Sequence, residues 1–153
     1  MKLATFFAVV ALAVSPALGR NFDVMVGANN DFIFAPNQVN GAVPGDTVTF
    51  TFVSKNHSAT TTTFVNPCPP PPGGQGPNGF DTGFNPTTAT DHPVHVINVV
   101  DTAPHFVACM QAGGGHCNRG MTFALNPTPQ QTYDEFLNNA LTDPIQTQRI
   151  PGN

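Results

Sequence analysis

Cys109, His116 and Met121 stand close together in the chain, and their side chains offer a thiolate, an imidazole and a thioether. His116 follows the cysteine by seven residues, and Met121 follows the histidine by five. These are ligand types that copper takes in proteins, with the thioether as a weak axial donor. A second imidazole is missing from this loop, and we expect His57 to supply it. The pattern therefore predicts a site for one copper ion formed by His57, Cys109, His116 and Met121.

The loop that carries these residues is rich in glycine. Gly113-Gly114-Gly115 lies between Cys109 and His116, and glycine accepts the positive φ angles that a tight return requires. The loop can therefore fold around an ion. Taken singly, the residues also have ordinary interpretations, with His57 as a turn histidine, His116 as a loop residue and Met121 as part of the core.

The chain contains three cysteines, Cys68, Cys109 and Cys117. An odd number leaves one thiol that pairs between chains, stays free or binds a metal. If Cys109 is a copper ligand, Cys68 and Cys117 remain to form a disulfide, which would tie a proline-rich segment to the residue beside His116. Pairing of Cys109 with either of the other two cysteines is the alternative.

Of the remaining three histidines, His92 and His95 are expected to be ordinary surface or hydrogen-bonded residues, whereas His105 could lie near the site or simply in the sheet. His92 and His95 are three positions apart, and on a strand this offset places them on opposite faces. His105 lies four residues before Cys109 and shares its face of a strand, but it stays outside the predicted ligand set.

Short segments with alternating apolar and polar residues predict a β fold. In Thr47–Phe52, Val48, Phe50 and Phe52 share one face and the threonines share the other, which indicates one face in a core and one in water. Further strands are predicted over residues 22–27, 32–34, 94–100, 105–109 and 121–125.

Two other segments have different patterns. Residues 66–90 are rich in proline and glycine, with four consecutive prolines at 69–72, and predict a long loop because proline cannot donate to a sheet. Residues 130–142 have apolar side chains at spacings of three and four, which predicts a helix with Thr132 as its N-cap and Glu135 three residues later.

Composition limits the function classes. Charged residues make up 9% of the 153 residues, and the formal net charge is −4, which excludes a basic surface for nucleic acid. We find no sequence motif of a nucleotide-binding loop, a hydrolase nucleophile or a zinc protease.

Residues 1–19 have the pattern of a secretory signal peptide. Lys2 precedes an apolar run from Leu3 to Val14, and Ala17-Leu18-Gly19 is a small-x-small cleavage pattern. The run is too short to span a bilayer. The sequence therefore predicts a secreted, extracellular protein, with a domain over residues 20–127 and a helix and tail over 128–153.

At the predicted ligands the sequence resembles the cupredoxins, the small blue copper proteins, and among them the plant phytocyanins and the secreted plastocyanin-like proteins of filamentous fungi. Phytocyanins have a cysteine, a short loop and then His-Cys-x-x-Gly followed by Met or Gln. This sequence has Cys109 and then the run His116-Cys117-Asn118-Arg119-Gly120-Met121. Its loop between Cys109 and His116 has six residues, which is longer than is usual in phytocyanins. The fungal group is also similar at residues 43–48, 56–58, 66–68, 79–81 and 132–141.

The resemblance implies an all-β, Greek-key β-sandwich or barrel with a proline- and glycine-rich loop and a short C-terminal helix. It implies Cys109, His116 and Met121 as copper ligands and Cys117 as a disulfide partner. The function implied is one-electron transfer between Cu(I) and Cu(II) rather than enzyme catalysis, by a monomer with a redox partner that the sequence does not identify. The alternative is a non-redox secreted or cell-wall-associated protein that sequesters copper or acts through its surface.

Overall fold

The computed structural model describes residues 18–143, and β-strands form most of their regular structure. The predicted leader up to residue 17 and the tail after residue 143 lie outside the described residues. One α-helix, α1 (Tyr133–Thr142), and 3₁₀ turns at Ala28–Asn30 and Cys117–Arg119 accompany the strands. The strands are β1 (Asn21–Val26), β2 (Phe34–Ala35), β3 (Gln38–Val39), β4 (Thr47–Phe52), β5 (Asn56–His57), β6 (Thr60–Thr62), β7 (Asn85–Pro86), β8 (Val94–Asn98), β9 (His105–Ala108) and β10 (Thr122–Leu125).

Alternating side chains build the first sheet, in which the strand order is β2-β1-β4-β8. In β4, Val48, Phe50 and Phe52 are buried, while the threonines between them are half-buried. β1 pairs with β4 in parallel, and β8 pairs with β4 antiparallel. β4 is therefore an interior strand of the sheet. Its apolar face points into the core, as its period of two predicts.

The second sheet has the strand order β3-β10-β9-β6 and faces the first across a shared core. The rings of Phe50 and Phe123, one from each sheet, meet edge to face with centroids 5.4 Å apart. β3 joins this sheet parallel to β10, so the chain crosses between the sheets after β2. The prediction of an all-β sandwich with one short helix near the C-terminal end is confirmed.

The threonine strand β6 has no counterpart in the sequence prediction, because it lacks apolar alternation. All three of its residues are buried. Their hydroxyls donate to the loop that follows, from Thr60 to Asp81 Oδ1 (2.8 Å), from Thr61 to the Phe80 carbonyl (3.1 Å) and from Thr62 to the Pro67 carbonyl (2.8 Å). The proline- and glycine-rich loop thus covers a polar strand and satisfies its donors, which removes the cost of burying them.

The helix forms as its pattern predicts. The Glu135 N–H donates to Thr132 Oγ1 at 3.2 Å, which confirms Thr132 as the N-cap. Tyr133, Phe136 and Ala140 are buried, and the Phe136 ring packs on Phe106 of β9 with centroids 4.7 Å apart. The helix therefore covers the outer face of the second sheet.

Several predicted boundaries need correction. The segment predicted over 32–34 forms a strand only from Phe34, and the loop predicted over 66–90 contains the short strand β7. β3 and the pair β5 and β7 were absent from the prediction because two-residue strands have no readable periodicity. Within residues 18–143 no helix is long and apolar enough to cross a membrane.

The parallel pairing of β1 and β4 begins at an ion pair. Asp46, directly before β4, is 3% exposed. Its Oδ1 accepts the Arg20 main-chain N–H at 2.7 Å, and its Oδ2 accepts Arg20 Nη2 at 2.6 Å and the Val43 N–H at 3.0 Å. Hydrogen bonds from Arg20 lower the pKa of the Asp46 carboxyl to about 2.

We expect Asp46→Asn to lower the free energy of unfolding at pH 7, because a neutral amide cannot pair with the Arg20 guanidinium. The pKa of Asp46 in the folded protein lies below the 3.8 of the free side chain. The greater free energy of unfolding of the natural protein is therefore present above about pH 4 and disappears as the pH falls to about 2. Urea unfolding at a series of pH values measures this difference. Asp23→Asn, an exposed change on β1, is the control, and a difference that persists unchanged at pH 2 contradicts the role given to Asp46.

Candidate metal centre

His57 enters the site from the end of β5, in the segment that follows β4. Its side chain is fully buried, and β5 is held by antiparallel pairing of His57 with Asn85. Gly27, at the end of β1, lies against the ring: a Cβ on Gly27 would be 2.9 Å from His57 Cδ2 and 3.0 Å from Nε2. The close approach of the β1 backbone therefore fixes the plane of the imidazole.

Cys109 and His116 come from the connection between two paired strands. Cys109 follows β9, and its main-chain N–H donates to the carbonyl of Met121, directly before β10, at 3.2 Å. The loop closes on itself, because the Met121 N–H donates to the His116 carbonyl at 3.1 Å. The antiparallel pair β9 and β10 thus fixes both ends of the loop.

The donor atoms of these three residues face one another. His57 Nδ1 lies 3.1 Å from His116 Nδ1, and Cys109 Sγ lies 3.8 Å from His57 Nδ1 and 3.6 Å from His116 Nδ1. A triangle with these sides has its centre about 2 Å from each corner, close to the bond lengths that transition metals form with nitrogen and sulfur. Within residues 18–143, this is the one group of three or more histidine, cysteine or acidic side chains arranged to hold a metal ion.

Burial keeps all three groups neutral. Desolvation lowers the pKa of His57 to about 4, helped by the charges of His116 and Lys55. It also lowers the pKa of His116, together with Arg119 and Lys55. The pKa of the Cys109 thiol is raised by desolvation, against which the Ser58 N–H, 3.4 Å from Sγ, acts in the opposite direction. Both imidazoles therefore keep free lone pairs at neutral pH, whereas the thiol must lose a proton to become a ligand.

His57 presents one nitrogen to the site and leaves the other without a partner. Its Nε2 is buried and makes no hydrogen bond to the described residues. When Nδ1 binds a metal, the ring proton resides on Nε2. Among the described residues, the polar contacts of this buried ring therefore lie on the side that faces Cys109 and His116, and the Nε2 proton has no acceptor there.

Met121 is fully buried and belongs to the same apolar cluster as Cys109. It shares a face with Phe123 and Leu125, as the sequence predicts. The main-chain bonds to Cys109 and His116 hold Met121 next to both residues. Its role as an axial ligand remains a prediction.

The loop is anchored from outside by a disulfide between Cys68 and Cys117, with Cα atoms 5.6 Å apart. This confirms the predicted pairing and leaves Cys109 as a free, buried thiol. Asn118 Nδ2 donates to the Ala140 carbonyl at 3.0 Å, and the Cys68 N–H donates to Asp143 Oδ2 at 2.9 Å. The C-terminal end of α1 therefore holds both halves of the disulfide, directly beside His116.

Phe32 and two cations form the exposed edge of the site, and sequence reasoning did not find them. The Phe32 ring lies 4.4 Å from the His116 ring, centroid to centroid. Lys55 Nζ lies 4.4 Å from the centre of Phe32, and Arg119 Cζ lies 5.1 Å from it. These residues are 23 to 87 positions apart in sequence, so no local pattern connects them.

The other histidines lie outside the triangle. His95 Nε2 contacts Asn85 Oδ1 at 2.8 Å, and His105 Nε2 contacts Asp101 Oδ1 at 2.8 Å. His92 is exposed. The expectation that His92 and His95 are surface or hydrogen-bonded histidines is confirmed, and His105 lies in β9 with its ring on Asp101.

We expect Gly27→Ala to weaken copper binding about tenfold more than Gly41→Ala, as outer-shell changes commonly do. Both glycines have positive φ, +81° and +68°, but a Cβ at Gly41 meets no atom within 4 Å. The two variants therefore share the backbone strain, and only the first crowds the His57 ring, together with Ser54 Oγ at 2.5 Å. Competition titration against a copper chelator measures the affinities, and equal losses contradict the positioning role of Gly27.

No protein-family model matches the chain, and no curated protein matches it. Similar solved structures include auracyanin B, with 19% identity over 76% of this chain and 94% of that chain and a TM-score of 0.48. They also include pseudoazurin from Methylobacterium extorquens (18%, 76% and 82%, TM-score 0.42) and auracyanin A, a "blue" copper protein from Chloroflexus aurantiacus (11%, 69% and 96%, TM-score 0.44). Because these structures have low sequence identity and low TM-scores, we interpret the site from its own donor atoms. In its two-sheet fold and in the arrangement of those atoms, the chain resembles the cupredoxins.

Proposed function

We propose that this chain is a secreted type 1 copper protein that carries single electrons and catalyses no reaction of its own. The observation that supports this function is the triangle of His57 Nδ1, His116 Nδ1 and Cys109 Sγ. Two imidazoles and one thiolate with a weak axial thioether, here Met121, form the donor set of blue copper electron-transfer sites. Copper supplies the one-electron couple between Cu(I) and Cu(II).

The surroundings of the triangle favour electron transfer over substrate chemistry. His57 and Cys109 are fully buried, and His116 is the one member of the triangle with partial exposure. A paired strand end, a disulfide and α1 hold the ligands in place. We infer that this anchoring limits rearrangement between the two oxidation states and that the edge formed by His116 and Phe32 meets the redox partner.

Extracellular location is part of the proposal. The leader pattern at residues 1–19 supports export, and the Cys68–Cys117 disulfide is of a kind that persists in oxidising compartments. The redox partner remains unidentified, and we propose that the protein acts as a monomer.

Reconstitution with Cu(II) tests the function. We expect an intense visible absorption band from thiolate-to-copper charge transfer, which gives a blue or green protein. Cys109→Ala and His57→Ala should abolish this band because each removes an equatorial ligand. His92→Ala, at an exposed histidine outside the site, should leave it unchanged, and far-UV circular dichroism verifies that each variant folds.

Other outcomes have definite meanings. A band that survives in a folded His57→Ala protein contradicts the ligand set. A protein that binds copper but stays colourless and does not cycle between oxidation states contradicts electron transfer and favours copper sequestration. Loss of the band in His92→Ala would show that the triangle is not the copper site.

The two cations at the edge should raise the reduction potential. Positive charge disfavours Cu(II) relative to Cu(I), and both Lys55 and Arg119 act electrostatically on the site histidines. We expect the double change Lys55→Gln and Arg119→Gln to lower the potential by on the order of tens of millivolts. Arg20→Gln removes one positive charge away from the site, since Arg20 precedes the far end of β1, roughly 20 Å away at about 3.3 Å per residue. Because Arg20 pairs with Asp46, circular dichroism first verifies that this control folds. Voltammetry measures both, and an equal or opposite shift contradicts this effect.

A further inference from the structure

Arg20 contacts Asp46 through its main chain as well as its side chain. The main-chain nitrogen lies 2.7 Å from Asp46 Oδ1, while the guanidinium binds Oδ2 through Nε and Nη2 at 3.1 and 2.6 Å. The Arg20 carbonyl in turn accepts the Thr47 N–H at 2.8 Å. Arg20 is therefore the first residue that the fold holds on both sides of its backbone.

The residues just before Arg20 have a different environment. Leu18 is 94% exposed, although its side chain is apolar. Gly19 lies so close to the Gly45 carbonyl oxygen that an added Cβ would clash with it. Within the described residues, Arg20 is the first whose main chain is hydrogen-bonded to the rest of the fold.

We propose that hydrolysis of the Gly19–Arg20 bond creates an N-terminal ammonium group that forms an ion pair with Asp46 and fixes β1 to β4 in the mature protein. A leader peptidase would break the peptide bond with water, which leaves a carboxylate on Gly19 and an ammonium on Arg20. The main-chain donor that contacts Asp46 Oδ1 thereby changes from a neutral amide to a cation. The inference shares only the secretory leader with the proposed function and does not depend on copper.

The charges around this position favour the ammonium. Asp46 is 3% exposed but the Arg20 side chain is exposed, so solvent screens this pair in part. At 2.7 Å the attraction between an ammonium group and the carboxylate is still favourable. The Arg20 guanidinium is the other charged group in contact with this carboxylate, and it opposes the second cation. Val99, packed on the same turn from the end of β8, contributes main-chain groups, with its N–H donating to the Asp46 carbonyl and its carbonyl accepting the Gly45 N–H. The carboxylate thus receives one cation on each oxygen.

Secretion of the full chain from a eukaryotic host, followed by intact mass measurement, tests the first half of the proposal. We expect the purified protein to begin at Arg20. A different N-terminal residue overturns the proposal, whether or not the protein binds copper.

Amine labelling of this metal-free protein tests the second half. The chain has two lysines, Lys2 in the leader and Lys55, so the mature protein carries two amines and Lys55 serves as an internal reference. The α-amino group of a peptide has a pKa of about 8. We expect the midpoint of acylation at Arg20 to lie at least about one pH unit higher and to return to the ordinary value in Asp46→Asn. Asp23→Asn, which removes an exposed charge on β1, should leave the midpoint high.

A variant that unfolds cannot answer the question, so the natural sequence provides a second measurement. Selective acetylation of the Arg20 α-amino group should lower the unfolding temperature by several degrees, because it replaces the cation with an amide. In Asp46→Asn the same acetylation should have no effect, as expected for two groups that interact directly. An ordinary labelling midpoint, or equal effects of acetylation with and without Asp46, overturns the ion pair.

Discussion

The site depends on one constraint: the two imidazoles and the thiol of His57, His116 and Cys109 must lie within bonding distance of one ion, although burial keeps all three neutral. His57 and Cys109 are fully buried, and water cannot separate their donor atoms from His116. Burial has opposite consequences for the two ligand types, since it keeps both imidazoles unprotonated but holds the proton on the thiol. The positive charge of a metal ion reverses the second effect by stabilising the thiolate. The two imidazoles can therefore bind a cation without losing a proton, whereas the Cys109 thiol becomes a ligand only when the bound cation promotes its deprotonation.

Much of the remaining architecture keeps these donors together at one end of the sandwich. The pair β9 and β10 fixes Cys109 opposite Met121, and β5 brings His57 beside them. The disulfide and α1 hold the loop from the other side through Cys117 and Asn118. The disulfide and these hydrogen bonds thus hold the residues next to His116. His116 is the ligand that lies in the loop rather than at the end of a strand.

The sequence predicted the structure correctly where residue type, or a short alternation of apolar and polar residues, determines burial. The alternation in β4 predicted its buried face, and the spacing of Cys109 and His116 predicted two of the three donors that meet. The prediction failed where burial depends on distant partners. β6 consists of threonines, and its place inside the protein becomes possible only when the Phe80 carbonyl and Asp81 accept hydrogen bonds from its hydroxyl groups. Phe32 likewise joins the site through contacts with residues far away in sequence, which periodicity cannot reveal.

The scarcity of charge in this chain gives its few ionic contacts unusual weight. Three lysine and arginine side chains occur within residues 18–143, and each contacts a structurally important group: Arg20 binds the carboxylate that precedes β4, while Lys55 and Arg119 lie over Phe32. Asp31, directly before Phe32, offsets part of the positive charge at this edge. With so few other charges present, a partner that approaches the His116 edge meets a local field of positive sign on a protein whose formal net charge is negative. Exposed charges act over roughly 10 Å at moderate salt, so this local sign, rather than the net charge, determines which surfaces can approach the site closely.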